Sequence, residues 1–129
     1  MKIRSRVLLV IIVLALFVPQ NILAAEKKDP VGTWEFSITD APYGYTSGKF
    51  EVKIVDEKYA VDVIFEGGDY IFEGEMIFFE KDKFSFSLYV EDQDVLLDLV
   101  FSDKDQMKGK VVYSEGELSI TTKRKKDEE

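Results

Sequence analysis

General acid–base and nucleophilic chemistry need a titratable group held in a cleft, and in this chain the choice of such groups is narrow. The 129 residues contain no histidine and no cysteine. That removes imidazole bases, thiolate nucleophiles, Ser-His-Asp triads, disulfides and every metal site built on nitrogen or sulfur ligands. Carboxylates remain. Glu73 and Glu75 stand two positions apart, which puts both on one face of a strand in the manner of a glycosidase pair. The segments Glu91-Asp92-Gln93-Asp94 and Asp103-Lys104-Asp105 are rich in oxygen ligands for calcium, yet neither has the Asp-x-Asp-x-Asp-Gly…Glu order of an EF-hand. Both read as hairpin turns, and the Glu73/Glu75 face reads as solvated strand surface. No catalytic residue, metal or cofactor is expected, and the protein is not expected to be an enzyme. The other polar handles are amphipathic rings, apolar along the body and hydrogen-bonding at one end. Trp34, Tyr43, Tyr45, Tyr59, Tyr70 and Tyr113 are accordingly the candidate ligand-binding residues.

The elements that must position these rings are strands. From Gly32 to Lys123 the apolar residues recur at every second position, the period of a strand with one buried face. Trp34, Phe36 and Ile38 alternate with Glu35 and Ser37, and Phe84, Phe86, Leu88 and Val90 repeat the pattern further on. Eight strands are predicted, joined by short polar connections such as Asp56-Glu57, Lys81-Asp82 and Glu115-Gly116. Such short turns link antiparallel neighbours, because a parallel pair needs a crossover of roughly a dozen residues. The expected fold is all-β, an eight-stranded antiparallel up-and-down barrel, with a two-sheet β-sandwich as the alternative. Gly74 interrupts the fourth strand and reads as a kink or bulge that turns a corner. The one long connection, 39–47, reads either as a lid carrying Tyr43 and Tyr45 or as a loop whose tyrosines cap the core.

Twelve aromatic positions fall on the inward set, Tyr59, Tyr70, Phe72 and Phe78 among them. That bulk can fill a small barrel, leaving either a solid core or a narrow apolar pocket at one mouth. The outward set contains Ile71, Ile77, Phe79, Leu96 and Val100, the candidate interface residues for a homodimer or an exported protein partner.

Gly32-Thr33-Trp34 at the opening of the first strand and Lys123-Arg124 at the close of the last resemble the calycin pattern of lipocalins and their relatives. In that pattern a Gly-x-Trp packs against a basic side chain from the end of the barrel. With Ser47-Gly48 opening the second strand, the chain is similar to small lipocalin-like domains of exported bacterial proteins. The resemblance implies a barrel that binds a small apolar or amphipathic molecule at one mouth. The chain departs from true lipocalins in lacking a disulfide and room for a C-terminal helix.

Export is read from the N-terminus. Lys2, Arg4 and Arg6 precede an apolar run from Val7 to Val18, followed by Pro19 and the small pair Ala24-Ala25, the order of a secretory signal peptide. The run is too short for a membrane anchor of roughly 20 apolar residues. Domain boundaries follow: 1–24 signal peptide, 25–31 lead-in, 32–124 barrel and 125–129 a charged, frayed tail. The expected location is the periplasm or outside the cell, without stable membrane insertion after cleavage. The whole chain carries −8, and losing three cations with residues 1–24 takes it to −11. Such a charge argues against nucleic acid as a partner, since binding there rests on Lys and Arg neutralising phosphates.

Overall fold

The computed structural model describes residues 28–126. The signal-peptide assignment lies outside them, as do the last three residues of the tail. Nine strands are present among the described residues: β1 (Gly32–Ser37), β2 (Ser47–Val55), β3 (Lys58–Phe65), β4 (Phe72–Glu73), β5 (Glu75–Glu80), β6 (Lys83–Val90), β7 (Gln93–Asp103), β8 (Gln106–Tyr113) and β9 (Gly116–Arg124). All pairs are antiparallel, in the order β4-β3-β2-β1-β9-β8-β7-β6-β5. The strands at the two ends of this order are separated in the chain by Gly74 alone. The sheet therefore curls into a nearly closed up-and-down barrel, and the sandwich alternative falls away.

The ninth strand is the predicted fourth one divided in two. β4 pairs with β3, while β5 pairs with β6, so a single stretch of chain supplies both edges of the seam. Gly74 sits at the changeover and donates its amide to the Val61 carbonyl at 2.8 Å. A Cβ placed there would stand 3.0 Å from Val61 Cβ and 3.2 Å from Phe86 Cδ2, one contact on each side of the seam. Two residues later Met76 takes a left-handed conformation (φ 53°), and the β5–β6 register shifts between Glu75 and Phe78. This bulge inserts a residue and inverts the inside–outside phase. As a result Ile77 and Phe79 pack against the core, whereas Phe78 and Met76 face solvent. The sequence expectation of Phe78 inside with Ile77 and Phe79 outside is thus corrected: alternation does not survive an inserted residue.

The hairpin turns have their own demands. Asp56-Glu57 and Glu91-Asp92 each place two successive residues at positive φ, the type I′ geometry whose twist matches that of paired strands. Of the remaining outward apolar residues, Ile71, Leu96 and Val100 are exposed. Leu96 lies opposite Val112, but Val100 is flanked across the sheet by Lys83 and Lys108 and separated from Leu96 by Asp98. Ile71 precedes β4, on the other side of the seam.

One end of the barrel is shut by a cluster built on Trp34 and Arg124. The indole is fully buried, stacks near Phe50 and meets Phe101 edge-on. Its N–H donates to the Pro30 carbonyl at 2.9 Å. The Arg124 guanidinium lies 4.4 Å above the ring centroid, and its nitrogens donate to the carbonyls of Asp29, Val31 and Lys104 and to the Asp105 carboxylate. Those carbonyls lie outside the strands, two in the lead-in and one in the β7–β8 turn, so one planar cation joins the lead-in, that turn and the ring face. Gly32 (φ 140°) brings the backbone in close, and a Cβ there would stand 2.8 Å from Arg124 Nη1. At the start of the tail the Lys125 amide donates to the Thr33 carbonyl, and the Lys126 ammonium lies 3.2 Å from Asp105.

Two outcomes are expected. Gly74→Ala crowds both sides of the seam and should lower the unfolding free energy by about 1–3 kcal/mol in denaturant titration. Burial disfavours the Asp105 carboxylate, but hydrogen bonds from Lys126 and Arg124 outweigh it and hold the carboxyl below its ordinary range. A lowered folded-state pKa gives stability that is complete above the unfolded value, near 3.9, and lost as pH falls through the folded one. Asp105→Asn should therefore cost about 1 kcal/mol at neutral pH, partial exposure limiting the effect, and the gap to wild type should close in strong acid.

Candidate functional site

The interior is divided along the barrel axis. Toward the Arg124 end it is filled by Trp34, Phe50, Phe84, Phe86 and Phe101, whose rings contact one another at centroid separations of 5.5–6.3 Å. Toward the other end most inward positions are aliphatic, Val63, Leu88, Val90, Val95, Leu97, Val111 and Leu118, joined by the rings of Phe36 and Phe65. Branched aliphatic side chains span less of the lumen than rings do, and here they leave a cavity of about 110 Å³. For scale, an apolar cavity of about 150 Å³ is known to take benzene. The space therefore suits a short alkyl group or a single small ring, not a long acyl chain.

The roof of the cavity is the connection between β1 and β2. Ile38 remains buried just beyond β1 and donates its amide to the Thr46 carbonyl at 2.7 Å, which draws the two ends of the loop together. The Ala41 amide donates to Ile38 and the Tyr45 amide to Pro42, so the loop satisfies its own backbone over two tight turns. Ala41, Pro42 and Tyr45 then face the cavity. The Tyr45 ring meets Phe65 edge-on at 4.9 Å, and its hydroxyl donates to Glu91 Oε2 at 2.6 Å. That hydrogen bond crosses from the loop to the β6–β7 turn and works as a latch over the mouth. It holds the Tyr45 phenol above the ordinary tyrosine range, with partial burial and the charge of Glu91 adding to the effect.

Polar atoms are confined to the rim. Glu91 and Gln93 line the cavity from the β6–β7 hairpin, and Gln93 Oε1 accepts the Ser114 amide at 3.0 Å, tying that hairpin to the β8–β9 turn. Tyr113 lines the same side. Of the six rings proposed from the sequence, Tyr45 and Tyr113 line this cavity, and Tyr45 also borders a shallow outer cleft with Tyr43 and Tyr70. Trp34 belongs to the closed end, so its fluorescence is not a direct reporter of the cavity. Tyr59 lies at that end too, edge-on to Phe79 at 6.0 Å. Tyr43 is 99% exposed, and Tyr70 is exposed on the outside, leaning on Phe72.

Glu91 and Gln93 are rim residues that the sequence reading placed only in a turn. The available signal was positional: they join two inward runs, Leu88-Val90 and Val95-Leu97, at the end of the barrel where the long loop also sits. Glu73 and Glu75 are both exposed on the outer surface, away from the cavity.

Removing the Tyr45 hydroxyl should release the roof without unfolding the barrel. Tyr45→Phe is expected to speed amide hydrogen exchange across 38–46 several-fold while changing global stability by no more than about 1.5 kcal/mol, the usual worth of one such bond.

Compared with known proteins, the chain matches no family model, no curated protein and no solved structure.

Proposed function

We propose that this is an exported, non-enzymatic binding module, a calycin-like barrel that holds a small apolar or amphipathic ligand beneath the 38–46 loop. The observation that carries the reading is the apolar cavity of about 110 Å³ whose polar groups all lie at the rim. A ligand pocket of this type is mostly apolar, with few placed polar groups that fix orientation. The inward face offers no His, Cys or buried carboxylate to move a proton, which favours binding over catalysis. The signal-peptide pattern of residues 1–24 supports export, and the contact of Trp34 with Arg124 supports the calycin comparison. The outward apolar residues, interrupted by Asp98, Lys83 and Lys108, give the protein-interaction alternative less to work with.

The test is a titration of methyl-labelled protein with xenon and with pentanol, followed by NMR. Shifts are expected at Leu97, Val111 and Leu118, inside the cavity. Val111→Phe, which fills the space with a ring, should abolish them while leaving the melting temperature within a few degrees of wild type, and Leu97→Phe serves as a second filler. A cavity whose methyl signals ignore both probes would overturn the reading.

A further inference from the structure

We propose that the cavity selects a short amphiphile with a cationic head, an alkyl- or arylammonium ion, over the carboxylate built on the same carbon skeleton. The proposal rests on the pocket reading above and adds the sign of charge that the pocket accepts. The wall decides where a head group must lie: the apolar lining of aliphatic side chains with Phe36 and Phe65 offers no charged partner for an ion, so the charge of an amphiphile stays at the rim. What waits at the rim is Glu91, whose carboxylate lines the mouth. Tyr45 occupies Oε2 with one donated proton, and a carboxylate offers about four acceptor sites. Oε1 is thus available to an ammonium donor without the latch being broken.

The surroundings reinforce the same sign. The four connections at this end are 38–46, 66–71, 91–92 and 114–115, and they carry Asp40, Glu66, Asp69, Glu91, Asp92 and Glu115, all exposed. Not one Lys or Arg lies on those segments. Among the described residues, the cations on the other connections and flanking segments, Lys28, Lys81, Lys104, Lys125 and Lys126, together with Arg124 at the end of β9, all sit at the Trp34 end. A mouth lined with one sign of charge over a low-dielectric wall concentrates the opposite ion and repels its own. Glu91 itself sits at positive φ, but so does Glu57 at the opposite end of the barrel, so that conformation follows from the hairpin and adds nothing to the case.

The experiment compares pentylamine, pentanol and pentanoate at neutral pH, each titrated into the full mature protein with the Leu97, Val111 and Leu118 methyls as reporters. Pentylamine is expected to bind about tenfold or more tightly than pentanoate at low ionic strength. The ratio should shrink several-fold at about 0.5 M salt, where screening acts over only a few ångströms. Glu91→Gln keeps an acceptor for Tyr45 and removes the charge, and it should cost pentylamine affinity while leaving pentanol unchanged. Equal binding of all three probes, or tightest binding of pentanoate, overturns the charge preference and leaves the pocket standing. Pentylamine shifts confined to rim residues also overturn it, since they mark surface ion pairing. If pentanol too leaves the cavity methyls unmoved, the pocket reading fails and this proposal fails with it.

Discussion

A sheet with one apolar face must hide that face, and here it does so by making one stretch of chain serve as both of its edges. The changeover at Gly74 is the constraint on which the rest of the barrel depends. Val61 on one side and Phe86 on the other approach so closely that even a Cβ between them would have to push them back. The bulge at Met76 follows directly, because a strand that leaves one partner and joins another must change register, and an inserted residue is how a ladder does so. Its effect reaches the interior: turning Phe79 inward supplies the ring that Tyr59, Phe84 and Phe101 pack around.

Closure at that girth leaves an interior only just wide enough for side chains, so residue volume decides where space survives. Aromatic rings fill the half toward Arg124, and the lumen stays open in the other half, where most of the lining is aliphatic despite the rings of Phe36 and Phe65. The two ends are also finished differently. At the closed end, a fixed guanidinium gathers three carbonyls and a carboxylate over the indole, a rigid seal of charge-assisted bonds. At the open end, a self-satisfied loop rests on Phe65 and is held across the mouth by one phenol–carboxylate hydrogen bond. The closed end is thus tied by several charge-assisted bonds, whereas the loop at the other end is joined to the far side of the mouth through one side-chain hydrogen bond.

Much of this was legible in the sequence wherever period-2 alternation ran unbroken. The alternation around Trp34, Phe50, Phe84 and Leu97 places those residues inside, and short turns dictate antiparallel neighbours. Gly74 as a corner was legible as well, because glycine in a strand marks either a bulge or a close approach, and here it marks both. The residues after it were not. A bulge at Met76 has no signature in residue type, and without it every position to Phe79 is assigned to the wrong face. The site was only half legible for a related reason. Tyrosine identity says that a ring is amphipathic, not at which end of the barrel it lies. Strand direction settles that: Tyr45 and Tyr113 fall at the end where β1 finishes and β6 turns, Trp34 and Tyr59 at the end where β1 begins. Tyr43 and Tyr70 lie at the mouth's end but on the outside, since loop residues carry no alternation to orient them.

The division of charge has a structural origin that precedes any ligand. The lead-in and the β7–β8 turn present carbonyl oxygens at the closed end, where a cation that donates to several of them at once is favoured. Arg124 is that cation, and Asp105 balances it. The mouth has no such need: the 38–46 loop pairs its own amides and carbonyls, Gln93 ties two hairpins together, and the turns are solvated. Its connections are therefore free to carry acids without a cation among them. With six acids and no Lys or Arg on its connections, the mouth end carries the more negative field. The polarity that would select a ligand by charge is thus the counterpart of the interaction that shuts the barrel.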